Sequence, residues 1–310
     1  MERLQEIAIF VAAALSGMIG LVSQDISYVA FPLPQPPAQT HVLFVGDLMF
    51  DRSIRHAMES YGADYAFSCI STRLAEPDMV VGNLEGPITQ NPSKSLGSAV
   101  ASHDNFVFTF GEYVAPLLRR NNIRVVSLGN NHILNFGTEG VQETTQALHD
   151  AGVGYFGEPG GQSVSEVTSG SALLSFIGYN QFDSGWSAST TIAQIKDARA
   201  KKRIPIVFAH WGDEYMAANA LQKSLAHRFI DAGAELVIGS HPHVIQESEV
   251  YRGKHIYYSL GNFIFDQYWN SAVRTGLNVE VSFDSAGVAG VEESFVILGT
   301  DRKTCPGKSL

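Results

Sequence analysis

One repeated local pattern constrains how this chain folds. A short hydrophobic run, typical of a buried β-strand, ends directly in a cluster of Asp, Asn, Glu or His side chains. The runs are His41–Gly46, Met79–Gly82, Arg124–Leu128, Ile204–Ala209 and Glu235–Gly239. Helical segments separate most of them, so the alternation predicts an α/β fold, with an antiparallel strand pair added near the C-terminus. Because ligands bind at the carboxyl ends of strands in such sheets, the five clusters are expected to share one site.

The stretch Ala234–Gln246 (AELVIGSHPHVIQ) contains the most specific of these clusters. Pro242 separates His241 from His243; it fixes its own φ angle and disfavours a helical conformation at His241. We therefore expect a stiff, extended segment that presents both imidazoles at a strand end. Such a pair suits a metal that accepts nitrogen ligands, although two histidines in a loop can also serve only to bind backbone groups.

The clusters together contain a mixed set of metal-ligand types. The candidate ligands are Asp47, Glu85, Asn131, His210, His241 and His243. Carboxylate, amide and imidazole groups in one site suit divalent Mn, Fe or Zn, and this set is large enough for one or two ions. Two ions about 3.5–4 Å apart are a common arrangement for phosphoester hydrolysis by a bound water. His132 then remains free as a candidate catalytic acid that protonates the leaving oxygen.

Further polar groups near the strand ends are candidates for contact with a substrate. They are Asn83, Glu214, Tyr215 and Asn262. Tyr215 lies close to Trp211 in the sequence, and an aromatic pair at a strand end often packs without binding a ligand.

Charge and cysteine content exclude some classes of protein. The net charge of −10 argues against a nucleic-acid partner, which requires a basic surface. The basic run Lys201–Arg203 is interpreted as a solvated turn. Cys69 and Cys305 lie far apart without metal or redox spacing, so no disulfide framework is expected and the compartment stays open.

The N-terminal 40 residues indicate a location. Residues 7–22 form an uncharged apolar run, short for a membrane span of about 20 residues but suitable for a signal-peptide core. A proline-rich segment, Phe31–Thr40, follows and is typical of a stiff linker. We expect an export signal or short membrane anchor over residues 1–40, with an uncleaved anchor slightly favoured; a buried helix is the alternative. The protein is thus predicted to be extracytoplasmic, anchored or secreted.

Six motifs, taken in chain order, resemble the CapA family of capsule synthesis proteins, which is named for poly-gamma-glutamate capsule biosynthesis. The motifs are GDLMFDR, VVGNLEGPIT, SLGNNHILNFG, AHWGDEY, VIGSHPHVIQ and YSLGNFIFD. The resemblance implies a calcineurin-like metallophosphoesterase-type αββα sandwich over residues 41–298, followed by a tail at 299–310. It also implies an extracytoplasmic, often membrane-anchored protein, and it places the candidate ligands and His132 at the metallophosphoesterase site.

Two positions depart from the pattern that the resemblance implies. Metallophosphoesterases often carry His two residues after the first Asp, and this chain has Met49 there. The family usually has Asp at the position of Asn135. These departures predict one lost metal ligand and a His132 ring without a carboxylate partner.

Three functions are compatible with these observations. The first is a capsule-polymer biosynthesis or export factor, with other synthase subunits and an anionic polymer as partners. The second is a secreted metal-dependent phosphoesterase that acts on a small phosphorylated substrate. The third is a non-catalytic subunit of a membrane synthase complex.

Overall fold

The computed structural model describes residues 39–308. The predicted apolar anchor and nearly all of the proline-rich linker lie outside the described residues. Within residues 39–308, none of the helices has the length and apolar character needed to cross a membrane.

The first of two β-sheets contains eight strands. They are β1 (Thr40–Leu48), β2 (Met79–Leu84), β3 (Ile123–Ser127), β4 (Gly154–Phe156), β11 (Asn262–Ile264), β12 (Thr275–Asp284), β13 (Gly287–Leu298) and β14 (Thr304–Gly307). Their order is β14-β13-β12-β1-β2-β3-β4, and β11 pairs with the end of β1. Strands β1 to β4 run parallel, so their carboxyl ends meet at one edge.

The second sheet contains six strands. They are β5 (Val164–Ser169), β6 (Ala172–Asn180), β7 (Ile204–His210), β8 (Leu236–Ser240), β9 (Ser248–Tyr251) and β10 (Lys254–Tyr257), in the order β5-β6-β7-β8-β10-β9. Strands β6, β7, β8 and β10 run parallel, and β5 and β9 are antiparallel edges.

Helices cover the outer face of each sheet. They are α1 (Arg52–Tyr61), α2 (Ser71–Leu74), α3 (Val114–Arg120), α4 (Gly137–Ala151), α5 (Ala188–Ala200), α6 (Ala220–Ala232) and α7 (Ser271–Arg274), with 3-10 turns at Tyr65–Phe67 and His103–Phe106. Buried residues of α1, α3 and α4 pack in one core with Leu43 and Val45 of β1, Val80 of β2 and Val126 of β3. Those of α5 and α6 pack against the second sheet.

A third core lies between the two sheets. Phe44 of β1 and Phe156 of β4 belong to the first sheet, and both pack on Phe176 of β6 in the second. Phe156 also contacts Phe208 of β7. The layers therefore run helix, sheet, sheet, helix, which confirms the predicted αββα sandwich.

Three parts of the structure differ from the sequence-based expectations. Helix α5 was not predicted, because its buried positions, Thr191, Ile195 and Ala198, form only a weak apolar stripe. Residues 304–307 are not a tail but form β14, which pairs with β13. Cys69 and Cys305 form a disulfide, so the expectation of no disulfide is wrong. Sequence spacing could not show this pairing, since 236 residues separate the two cysteines and only the folded sheet edge brings them together.

A glycine at the end of β1 allows the segment before β11 to approach the site. A Cβ atom on Gly46 would lie 1.8 Å from the carbonyl oxygen of Gly261, which accepts the N–H of Asp47 at 3.0 Å. This close approach places Asn262 opposite Asp47 in the strand pairing.

Candidate metal centre

The carboxyl ends of strands from both sheets bring the predicted ligands together. Asp47 lies near the end of β1 and Glu85 directly follows β2; both are 0% exposed. His210 ends β7, and His241 and His243 follow β8; these three are at most 5% exposed. The site is therefore a buried junction between the two sheets.

Five of these side chains form two groups that could each hold a metal ion. One group is Glu85, His210 and His241, and the other is Asp47, Glu85 and His243. In each group the ligand atoms lie within 4.8 Å of one another. Glu85 belongs to both groups, so its carboxylate would help to hold an ion in either of them.

Two buried atoms of these groups lack a hydrogen-bond partner. They are Oε1 of Glu85 and Nδ1 of His241. An unpaired buried polar atom is costly and needs an explanation. Metal ligation would satisfy both atoms at once, so the residues present fit a divalent cation.

The electrostatics of the site favour the same conclusion. Burial raises the pKa of Glu85 well above its usual value, and the neighbouring Asp47 raises it further. Burial, with His241 and His243 adding to it, lowers the pKa of His210 well below the usual value. Burial, followed by His243, lowers the pKa of His241 to about 4. These imidazoles are therefore neutral at pH 7, the form that binds a metal.

The amides of Asn83 and Asn262 hold ligands in place. Asn83 Nδ2 donates to Asp47 Oδ1 at 2.8 Å and to Glu85 Oε2 at 3.2 Å. Asn262 Oδ1 lies 3.0 Å from His243 Nδ1. Both asparagines are 0% exposed. This placement suits the orientation of metal ligands better than the predicted direct contact with a substrate.

Two residues behind the ligands were missed by the sequence analysis. Asn130 Nδ2 donates to Asn83 Oδ1 at 3.1 Å and to the carbonyl of Leu84 at 2.8 Å. Ser240 Oγ lies 3.0 Å from His210 Nδ1. The sequence could have indicated these two residues only by their position, because Asn130 directly precedes Asn131 and Ser240 directly precedes His241.

Asn131 and His132 follow β3 beside the cluster; Asn131 is exposed and His132 is half-buried. Asn131 Oδ1 is 2.8 Å from His210 Nε2, so it is close enough to complete that group of ligands. His132 Nδ1 lies 3.1 Å from the carbonyl oxygen of Phe106, and its ring stacks on Phe108. Because a carbonyl can only accept, we assign the proton to Nδ1 and the lone pair to Nε2.

The surroundings of His132 favour a neutral ring. Burial, with His243 and His241 adding to it, lowers its pKa to about 3. A general acid has to carry its proton on the nitrogen that faces the leaving group, so the acid role predicted for His132 depends on changes in its environment when a substrate binds. That role stays a prediction.

The His-Pro-His segment is not extended, and this expectation was wrong. His241 has a φ angle of 98° and His243 one of 58°, both in the left-handed region. The turn aims the N–H of His241 at Asp47 Oδ2, 3.2 Å away, and the carbonyl of Pro242 accepts the N–H of Tyr215 at 2.8 Å. Such conformations cost about 1–3 kcal/mol each and concentrate at functional sites.

Glu214 and Tyr215 lie at the rim of the cluster. Both are exposed, and the Tyr215 ring centroid is 6.0 Å from that of His243. The charge of Glu214 raises the pKa of both Glu85 and Tyr215, after the larger effect of burial. Both side chains are accessible to a substrate, and their contact with one stays a prediction.

Comparison with known proteins identifies the family. The family model described as "Bacterial capsule synthesis protein PGA_cap" matches residues 41–267. The chain belongs to this family. It is 30% identical over 249 residues to the capsule biosynthesis protein CapA of Bacillus anthracis, covering 73% of this chain and 59% of the relative. It is 31% identical over 246 residues to the PGA biosynthesis protein CapA of Bacillus subtilis (strain 168), covering 73% of this chain and 63% of the relative.

The chain spans about three-fifths of the length of the two curated CapA relatives. Among solved structures, a single mutant of Vps29 from Entamoeba histolytica aligns over 64% of this chain and 89% of its own, at 11% identity and a TM-score of 0.28. That likeness is too weak to bear on fold or function.

Met49 and Asn135, the two positions at which this PGA_cap member departs from the pattern described above, both have defined contacts in the structure. Met49 is fully buried, and its sulfur accepts the N–H of Asp51 at 3.0 Å, so it offers the site no nitrogen ligand. Asn135 Nδ2 lies 3.3 Å from His132 Nδ1 and donates to the carbonyl of Phe106 at 2.9 Å. The position does face the His132 ring, but with an amide in place of a carboxylate.

Proposed function

We propose that the protein acts in capsule polyglutamate synthesis and that its metal centre cleaves a phosphoester bond. Membership of the PGA_cap family and the CapA relatives support the first part. The observation that carries the second part is the pair of buried ligand groups that share Glu85. A structural site needs only one closed set of ligands, whereas two adjacent groups suit phosphoester chemistry.

The chain's own residues would divide the work between charge, orientation and proton transfer. Asp47 and Glu85 supply the negative charge that holds the ions, and Asn83 keeps both carboxylates in position. His210, His241, His243 and Asn131 complete the ligand sets. One or two bound Mn, Fe or Zn ions would supply positive charge that polarises the phosphate and lowers the pKa of a water. His132 would protonate the leaving oxygen from Nε2, a role that requires the ring to take up a second proton when the substrate is bound.

The test of this activity is hydrolysis of a phosphodiester with an alkyl alcohol as leaving group, which needs a proton to depart, by the full chain loaded with Mn. His132→Ala should lower kcat by about 10²–10⁴-fold, the usual contribution of a proton-transfer residue. His149→Ala, in the exposed part of α4, is the matched control and should leave kcat unchanged. Equal rates for wild type and His132→Ala would contradict the proposed role. If neither protein hydrolyses the substrate, the result would favour a non-catalytic subunit of a synthase complex. It would count against a catalytic role in capsule synthesis and against a secreted phosphoesterase.

We also propose an extracytoplasmic location, with the membrane contacted through residues 1–40. The apolar run at 7–22 supports this, and so does the Cys69–Cys305 disulfide, because structural disulfides persist mainly in oxidising compartments. The partners proposed at that location are other capsule synthase subunits and an anionic polymer. A reporter fused after Thr40 should be exported and remain with the membranes; a soluble cytosolic fusion would overturn the proposal.

A further inference from the structure

A cleft of about 740 Å³ opens beside the metal centre. The start of α1, the segment 95–106 and residues 266–269 form its walls. Two wall residues also touch the centre: the Phe106 carbonyl binds the His132 ring, and Tyr215 packs near His243. The cleft therefore adjoins the metal centre, and its volume suits a small-molecule group.

The walls of the cleft concentrate exposed apolar side chains. These are Leu96 (42% exposed), Val100 (91%), Phe106 (47%), Tyr215 (42%) and Trp269 (61%). Tyr215 and Trp269 meet edge to face, with ring centroids 5.4 Å apart. Large apolar groups gathered around one concave surface mark a binding site, whereas isolated ones do not.

Charge in the cleft is almost fully compensated. Among the described residues that line it, Arg52 alone is a permanent cation, and its guanidinium forms an ion pair with Asp266. Asp266 Oδ2 also accepts from the backbone N–H and the hydroxyl of Ser53, at 3.2 and 3.1 Å. The Arg52 guanidinium is further placed over the rings of Phe108 and Phe265. A polyanion with a charge on every unit would find no series of free cations in this cleft.

The wall formed by the segment 95–106 is anchored at both ends by one buried carboxylate. Asp51 is 0% exposed and accepts the Ser93 hydroxyl at 2.7 Å and the Thr109 N–H at 2.9 Å. Arg55 Nε donates to the same carboxylate at 3.0 Å. The cleft is therefore built into the fold and is not a chance gap between loops.

We propose that this cleft binds an apolar or aromatic group of a phosphoester whose phosphate lies at the metal centre. The proposal rests on the phosphoester function proposed above and specifies its substrate class. Tyr215 and Trp269 are the specificity residues, because the Tyr215 ring lies 6.0 Å from that of His243 and the exposed Trp269 ring packs against it edge to face. The cleft then discriminates in favour of esters that carry an apolar or planar substituent, and a polyglutamate chain does not occupy it.

A binding measurement tests the cleft without requiring turnover. The Mn-loaded full chain is titrated calorimetrically with phenylphosphonate, octylphosphonate and methylphosphonate. We expect the first two to bind about tenfold or more tightly than the third, since an apolar pocket discriminates at this level for small groups. Trp269→Ala should remove most of this advantage and Trp269→Phe should keep it. Val250→Ala, an exposed apolar residue on the edge strand β9, is the matched control and should change nothing.

Equal affinities for the three phosphonates, or no binding of any, would overturn the proposal. The proposal would also be overturned if a polyglutamate chain displaced phenylphosphonate from the wild-type protein but not from Trp269→Ala. That result would show that the polymer itself occupies the cleft. Kinetics separate this failure from that of the proposed function: phosphate release from octyl phosphate should show a KM about tenfold below that from ethyl phosphate at similar kcat. Hydrolysis without this preference overturns the cleft assignment alone, whereas phosphonate preference without hydrolysis supports the cleft and overturns catalysis.

Discussion

At the scale of single residues, Glu85 is the group on which the account of the site depends most. Its carboxylate is fully buried beside Asp47, belongs to both ligand groups and leaves Oε1 without a hydrogen-bond partner. Such an arrangement is unfavourable for the metal-free protein and favourable once a cation binds. The two adjacent buried carboxylates thus lower the stability of the metal-free protein but are needed for metal binding.

Glu85→Gln is therefore expected to stabilise the metal-free protein by on the order of 1 kcal/mol, because one of two adjacent buried carboxylates is removed. The same change should abolish most of the increase in Tm that Mn gives the wild type, since binding stabilises only through the sites that remain. Thermal unfolding with and without a chelator measures both effects. Glu214→Gln, at the exposed rim, is the control; a metal-free Glu85→Gln variant less stable than wild type would contradict this account.

The positions of the ligands could be predicted from sequence, but the roles of the surrounding amides could not. Asp47, Glu85, His210, His241 and His243 each follow a hydrophobic run, and parallel strands bring such residues to one edge. Whether Asn83 and Asn262 face a substrate or a ligand depends on burial that the strand pattern does not report. The left-handed φ angles of His241 and His243 were equally hidden, because the Asp47 carboxylate that the His241 N–H binds comes from a distant strand.

At the scale of secondary-structure elements, Glu235 joins segments that are far apart in the chain. It directly precedes β8 and is 3% exposed. Its carboxylate binds Arg199 Nη2 of α5 at 2.6 Å, the ammonium of Lys254 in β10, and the N–H of Val288 in β13 at 3.3 Å. The last contact crosses from the second sheet to the first, so this carboxylate connects both sheets.

This connection predicts a pH dependence of stability. Burial raises the pKa of Glu235, but the bonds from Lys254, Arg199 and Val288 outweigh it, so the pKa is lowered overall. A lowered folded-state pKa means that the stabilisation is present above the unfolded-state pKa and is lost as the pH falls through the folded-state pKa. Glu235→Gln should therefore reduce the free energy of unfolding by roughly 1–3 kcal/mol at pH 7 and by progressively less below about pH 4.5.

Urea unfolding of both proteins between pH 3 and pH 8 (roughly the range over which carboxylates titrate) measures this difference. Glu292→Gln, on the exposed side of β13, should show no such pH dependence. A difference between Glu235→Gln and wild type that stays constant across the range would show that the charge of Glu235 does not stabilise the fold.

Elements with strong patterns were predictable and those with weak patterns were not. The hydrophobic runs of β1, β2, β3, β7 and β8 identified the centre of each sheet. Helix α5 escaped notice because few of its positions are buried, and β14 because four residues at a sheet edge acquire their structure only by pairing with β13. The Cys69–Cys305 disulfide depends on that same pairing.

At the scale of the whole molecule, the two sheets each contribute part of one metal centre. Asp47 and Glu85 come from the first sheet, and His210, His241 and His243 come from the second. Within residues 39–308, neither sheet alone has a complete group of ligands, since each of the two groups takes members from both. The sandwich is therefore what creates the site, and the cleft beside it is what would give the site its substrate preference.

The measurement that tests this account most directly is the metal content of the purified full chain after loading with Mn or Zn and removal of free ions. Elemental analysis should find between about one and about two ions per chain, as expected for two groups that share a ligand. Replacing both His241 and His243 by Ala should abolish binding while the fold, followed by circular dichroism, survives. A wild-type content below about half an ion per chain would contradict the assignment of these residues to a metal centre.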